Sequence, residues 1–208
     1  MNFVEAEHPA VVAFAEEATA GASSERDKAV ALYYAVRDGI RYDPYSMSED
    51  PDAYRSSTVL KDRTAYCIPK AVLLCGAARA AGIPARLGFA DVRNHLTSPK
   101  LEERLGGTGL FIWHGYTELL LDARWVKVTP AFNIELCERF AVHPLDFDGE
   151  HDALFHPFTT DGRAHMEYIR YRGTFEELPL EQIMAEFRQT YPLVFKEAAP
   201  ADAAFNPA

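Results

Sequence analysis

Cys67 is the residue of this sequence best placed to do chemistry. It opens the run Cys67-Ile68-Pro69-Lys70-Ala71-Val72-Leu73-Leu74-Cys75-Gly76-Ala77-Ala78-Arg79-Ala80-Ala81, which is almost wholly apolar and rich in alanine. That composition predicts a helix buried on most sides. Pro69 fits a first turn, so the helix starts within a residue of Cys67, and Gly82 followed by Pro84 stops it. A thiol at the positive end of a buried helix is pushed toward thiolate, the form that attacks carbonyl carbon. Cys75, two turns on, faces the same greasy interior and reads as a small hydrophobe. A nucleophilic thiol also needs a base within hydrogen-bond reach and a third group that holds the base in one orientation.

A Cys opening a helix, then Arg79-Ala80-Ala81-Gly82-Ile83-Pro84-Ala85-Arg86 leading into a strand, resembles the transglutaminase-like superfamily of papain-type folds, here of bacterial intracellular type. That family next has a His on a strand, an acid a few residues later, and a Trp shortly before an Asp-Pro. This chain offers Trp113-His114-Gly115-Tyr116-Thr117-Glu118 and then Arg124-Trp125-Val126-Lys127-Val128-Thr129-Pro130. Order and spacing match between residues 25 and 135. One position departs: Thr129 stands where the family has its catalytic Asp.

The resemblance implies an α+β fold with a papain-like or transglutaminase-like core. A helical N-terminal lobe carrying Cys67 packs on an antiparallel sheet carrying His114. It implies cysteine-dependent acyl transfer on peptide or amide bonds through a thioester, with His114 as the base and a peptide or protein as substrate. Water as acceptor makes a hydrolase, protease or deamidase; an amine makes a transglutaminase. The sequence does not choose, and the family's intracellular members lean toward hydrolysis. The missing Asp motivates an alternative: a catalytically weakened fold that binds a peptide or protein.

The third group is open at this level. Asp122-Ala123 between two strand patterns predicts a tight hairpin. A hairpin turning there puts Ala131 opposite His114, with Thr129 and Asn133 as diagonal neighbours on one face. Thr129 accepts a hydrogen bond but carries no charge; Asn133 would mimic the amide partner of papain-like enzymes; a more distant residue is the third alternative. Glu118 is expected to pair with an arginine, Arg86 for one. The Cys67 backbone N–H would serve an oxyanion, with Tyr42 or Tyr66 as second donor.

Other elements follow from periodicity. Residues 9–20 and the stretch after Ser24, with Asp27 completing a capping pattern, read as helices. Residues 46–63 read as loop. Strands are expected over 85–92, 110–121 and 124–129, with Ile112, His114, Tyr116, Glu118 and Leu120 on one face. The polar stretch 93–109 holds a short helix from Ser98-Pro99 and is expected to border the cleft. Residues 154–158 and 166–171 read as strands, and Leu180, Ile183, Met184, Phe187 and Tyr191 share one face of a last helix. A single domain over 1–195 and a flexible tail over 196–208 are expected.

The 208 residues are enough to bury a core, and 48% hydrophobic and 12% aromatic content are those of a globular chain. A net charge of −10 argues against nucleic acid and anionic membranes as partners. No secretory leader pattern or membrane-length apolar run stands out, and three cysteines make no disulfide framework, so a cytoplasmic protein is expected. His143, His151, His156 and His165 are spaced by eight, five and nine residues, which fits no compact zinc set. No metal or other cofactor is expected. Oligomeric state is not legible.

Overall fold

A computed structural model describes residues 1–95, 98–154 and 166–195. The first half is helical. Helix α1 (Pro9–Thr19) opens on a first-turn proline, and α2 (Glu25–Gly39) is capped by Ser24, whose hydroxyl accepts the Asp27 N–H at 3.1 Å. Strand β1 (Arg41–Tyr42) then pairs in parallel with β2 (Thr64–Ala65). Residues 46–63, expected as loop, instead hold a 3₁₀ turn over Pro51–Tyr54 and helix α3 (Ser56–Asp62). Packing overrides the polar composition there. Ser56 is fully buried and donates to Val4 O at 2.9 Å, while Val59 reaches the core.

Helix α4 (Cys67–Ala80) is the centre of the lobe. Every residue from Cys67 to Ala78 is buried, because α1, α2 and α3 surround it on one side and the sheet covers the other. Its apolar side chains therefore need no polar face. Ile68, Val72, Leu73 and Leu74 are fully buried, each worth about 1.5–3 kcal/mol of transfer energy. Gly76 permits a close crossing: a Cβ there would lie 2.2 Å from Val4 O.

The sheet is antiparallel throughout, in the order β5–β4–β3–β6. Strand β3 (Ala85–Asn94) leads through α5 (Pro99–Arg104) to β4 (Leu110–Leu121) and β5 (Arg124–Val128). The β4–β5 hairpin turns on Asp122 and Ala123 at φ 49° and 61°, and pairs Leu121 with Arg124 and Thr117 with Val128. Both turn residues are left-handed, as a two-residue hairpin requires. After α6 (Ile134–Arg139), strand β6 (Met166–Phe175) adds an edge beside β3, and α7 (Leu180–Thr190) returns over the structure. This is the α+β arrangement expected, with the Cys helix against an antiparallel sheet. Among the described residues no helix is long and apolar enough to cross a membrane. The expected tail at 196–208 and most of the strand expected at 154–158 lie outside the described residues.

Candidate active site

Cys67 is the first residue of α4, and Tyr66 before it caps the helix with no side-chain hydrogen bond. The thiol therefore sits among backbone N–H groups. Burial pushes its pKa up to about 11, against the opposing pull of the N–H groups of Gly115, Ile68 and Cys67 itself. The thiolate expected from a helix start alone is thus not what this enclosed site favours. Cys67 is only 6% exposed, and here desolvation outweighs the helix terminus. Cys75 and Cys137 are also buried unpaired thiols, pushed by burial to about 12 and about 11.

Strand β4 runs directly against the first turn of α4. A Cβ on Gly115 would lie 3.0 Å from Ile68 Cα and 3.5 Å from Cys67 O, and Thr117 Oγ1 donates to Ala71 O at 2.9 Å. The glycine permits this approach and brings the next residue back along the strand, His114, to the cavity that Cys67 lines. Aromatic side chains form the walls: Tyr42, Tyr66, Phe111, Trp113, Phe187 and Tyr191. Among the described residues no Asp, Glu, Lys or Arg lines it. The free space is about 20 Å³, on the order of one water molecule. Leu105, just past α5, is part of the wall, so the 93–109 stretch does border the site. It is packed there rather than loose: Leu101 and Leu105 are 1% exposed and Arg104 donates to Val194 O at 2.8 Å.

His114 also lines a second, smaller cavity, with Thr129, Ala131, Phe132, Leu145, Leu154 and Met166. Thr129 and Ala131 follow just after the end of β5 at Val128 and lie on that side. Thr129 is held by its backbone: its N–H donates to Ala153 O at 2.7 Å, and its carbonyl accepts from Tyr33 Oη at 3.4 Å. Its buried Oγ1 makes no hydrogen bond, so the expected hydroxyl-to-imidazole bond is not made. Asn133 is elsewhere. Its Oδ1 accepts the Tyr42 N–H at 3.1 Å and its Nδ2 donates to Glu135 at 2.7 Å. Those bonds tie β1 to the start of α6 and leave the amide no part in holding the imidazole. The diagonal placement expected for Asn133 assumed that β5 continues; it ends at Val128.

Glu118 pairs with Arg86 at 2.7 Å across β3–β4, as expected, and Arg86 lies 4.0 Å over the Trp125 ring. Trp125 thus supports an ion pair, whereas Trp113 lines the cavity. The Tyr66 hydroxyl donates to Tyr54 Oη at 3.0 Å, which engages its proton away from Cys67. His151 pairs with Asp148 at 2.7 Å; His156 and His165 lie outside the described residues. Among the described residues no group of His, Cys, Asp or Glu could hold a metal ion.

Sequence reasoning missed four contributors. Lys70 is fully buried and donates from Nζ to Arg37 O at 2.8 Å and Ile40 O at 2.5 Å, closing the end of α2 onto α4. Its signal was visible: a cation in the first turn of an apolar helix. Phe187 and Tyr191 were legible as an apolar face, not as a cavity wall. Asp91 bonds the Trp113 N–H at 3.0 Å from the neighbouring strand and had no local signal.

A family model, the transglutaminase-like superfamily, matches residues 12–130. Among solved structures, the chain is similar to a candidate cysteine protease from Cytophaga hutchinsonii, at 15% identity and TM-score 0.47, covering 62% of this chain and 39% of that one. It is similar to a candidate protease from Parabacteroides distasonis at 17% identity and TM-score 0.43, covering 65% and 29%. A TGase matches at 20% identity and TM-score 0.45, covering 61% and 32%. The chain therefore spans less than two fifths of the length of each of these proteins. A comparison with curated proteins finds no match.

Proposed function

The chain belongs to the transglutaminase-like superfamily, whose model covers more than half of it, and on that premise we propose that it performs cysteine-dependent acyl transfer on peptide or amide bonds. One observation carries the reading: Cys67 at the start of α4 and His114 on β4 line the same water-poor cavity. In the reaction His114 takes the thiol proton as Sγ attacks the carbonyl carbon. The oxyanion that forms meets backbone N–H groups at the start of α4. The C–N bond then breaks, His114 returns the proton to the departing amine, and a thioester remains. Water, deprotonated by His114, attacks the thioester; the acid leaves and the thiol is restored. An amine in place of water gives transamidation. We favour hydrolysis, with a peptide or protein as substrate and a cytoplasmic setting.

The test needs no substrate. Iodoacetamide alkylation of Cys67 is followed across pH in wild type and His114→Ala. An imidazole-paired thiol alkylates well below pH 8.5, the ordinary thiol value of about 8.5, and His114→Ala removes that acidic limb. Identical profiles in both proteins, each rising only above that value, would overturn the enzymatic reading. That result would favour the second reading, a binding module. The Thr129 hydroxyl without a hydrogen bond and the raised Cys67 thiol support that alternative.

A further inference from the structure

Strand β3 meets irregularities on both sides within the stretch Phe89 to Val92. Toward β4, Ala90 pairs with His114 and Val92 with Phe111. Asp91 alone therefore faces two residues, Ile112 and Trp113, which is a β-bulge. Toward β6, Ala90 pairs with Tyr171 while Phe89 pairs with Gly173, so Arg172 is an extra residue on that strand. A second shift on that side leaves Ile169 extra between the Asp91–Arg170 and Val92–Tyr168 pairs. Trp113 and Arg172, from bulges on the two flanking strands, converge on Asp91. Asp91 Oδ1 accepts the Trp113 N–H at 3.0 Å and the Arg172 Nε–H. The guanidinium lies 4.7 Å over the Trp113 ring and also binds Glu186 of α7 at 2.6 Å.

Trp113 is at φ 58°, a left-handed conformation that a bulky residue adopts only when its surroundings impose it. A bulge also leaves N–H groups without ladder partners. Both are met here by side chains: Asp91 takes the Trp113 N–H, and Tyr191 Oη takes the Ile112 N–H at 2.6 Å while donating to Leu110 O at 2.9 Å. The next residue is His114. Both arginine and tyrosine partners come from residues beyond the 12–130 match.

We infer that Asp91 is a positioning residue: with Arg172 it holds the Trp113 bulge in place and so sets where His114 stands beside Cys67. The inference deepens the acyl-transfer reading and rests on it for the consequence, not for the geometry. Without the bulge the strand would run regularly through position 113, and a one-residue change of phase carries side chains to the other face.

The test compares Asp91→Ala and Asp91→Asn with wild type, both by iodoacetamide alkylation of Cys67 and by crystal structure. Alkylation near pH 6 depends on the imidazole, and near pH 9.5 it reads thiol access, so their ratio separates positioning from general damage. Asp91→Ala is expected to lower the ratio by about tenfold or more, since displacements of about 1 Å have effects of that size. Asp91→Asn keeps an oxygen for the Trp113 N–H but loses the charge facing Arg172, and is expected to lower it by about threefold. In Asp91→Ala crystals Trp113 should leave the left-handed region and His114 should move. If Asp91→Ala does not fold, the Asn variant decides alone, and an unchanged ratio with an unmoved His114 overturns the inference. A moved His114 in a protein whose wild type shows no His114-dependent alkylation would sink the acyl-transfer reading and leave the positioning role standing.

Discussion

The two sides of His114 are built differently. On the Cys67 side, β4 is pressed against α4 at Gly115, the walls are aromatic, and the backbone N–H groups of Gly115 and Ile68 face the thiol. On the Thr129 side the small cavity is bounded by apolar side chains and a hydroxyl that bonds nothing. An acid on that side would both orient an imidazole and stabilise its cation. Thr129 does neither here. The contrast teaches that the two sides are separable: close packing of β4 on α4 fixes the first, while on the second the Thr129 hydroxyl adds no hydrogen bond.

The largest expected effect breaks the well-built side. Gly115→Ala puts a methyl 3.0 Å from Ile68 Cα, where backbone must give way. Overpacking of this kind costs about 1–3 kcal/mol, and the displaced helix should slow Cys67 alkylation near pH 6 by about tenfold or more. A variant that alkylates like wild type would show that the contact at Gly115 does not matter to the pair.

Lys70 sharpens the same side through stability. Burial lowers its pKa from 10.5 to about 7. Between those values the unfolded chain holds the proton and the folded chain does not, so this group makes stability rise with pH. Below about pH 7 both states are protonated and its slope vanishes. Lys70→Met removes the slope and orphans two carbonyls, at about 1–3 kcal/mol. In urea titrations the deficit of the variant should widen by on the order of 2 kcal/mol between pH 7 and pH 9. A constant deficit would mean that Lys70 is charged in the folded protein throughout.

The smallest effects probe the weak side. Thr129→Asp places a carboxylate in the cavity that His114 lines and should raise Cys67 alkylation near pH 6 by about threefold or more. Thr129→Val removes a hydroxyl that bonds nothing, and should leave the rate unchanged while adding up to about 1 kcal/mol of stability. A tenfold loss in Thr129→Val would reinstate the hydroxyl as orienting group.

The features legible in the sequence were those that local pattern decides. The α4 start and stop, strand 110–121 and the Asp122-Ala123 turn rest on a proline, glycines and an unbroken apolar run, and each lies where expected. The Arg86–Glu118 pair was expected from residue types, and the β3–β4 register sets the two directly opposite. What stayed hidden depends on distant chain. Helix α3 forms from a polar stretch because Ser56 and Val59 meet Val4 and the core. Ile112 was placed on the face of His114 by strand period, yet it packs in the main core while Tyr116 packs in a separate cluster beyond it. The bulge between them answers to Asp91, 22 residues earlier. The state of the Cys67 thiol could not be read either, because it is set by enclosure, and Phe187 and Tyr191 close the cavity from the far end of the chain.

The paired bulges around Asp91 make that point of the sheet tolerant of length. Pairing is regular with β4 from Ala85 to Ala90 and with β6 from Leu87 to Phe89, and it resumes with both at Val92. The two strands flanking β3 each carry surplus residues against it. An insertion or deletion arising in either strand at that joint can be absorbed as a larger or smaller bulge, with the ladder on both sides left in register. The sheet thus has a seam where its edge can be rebuilt while the strand segment from His114 to Leu121 keeps its partners.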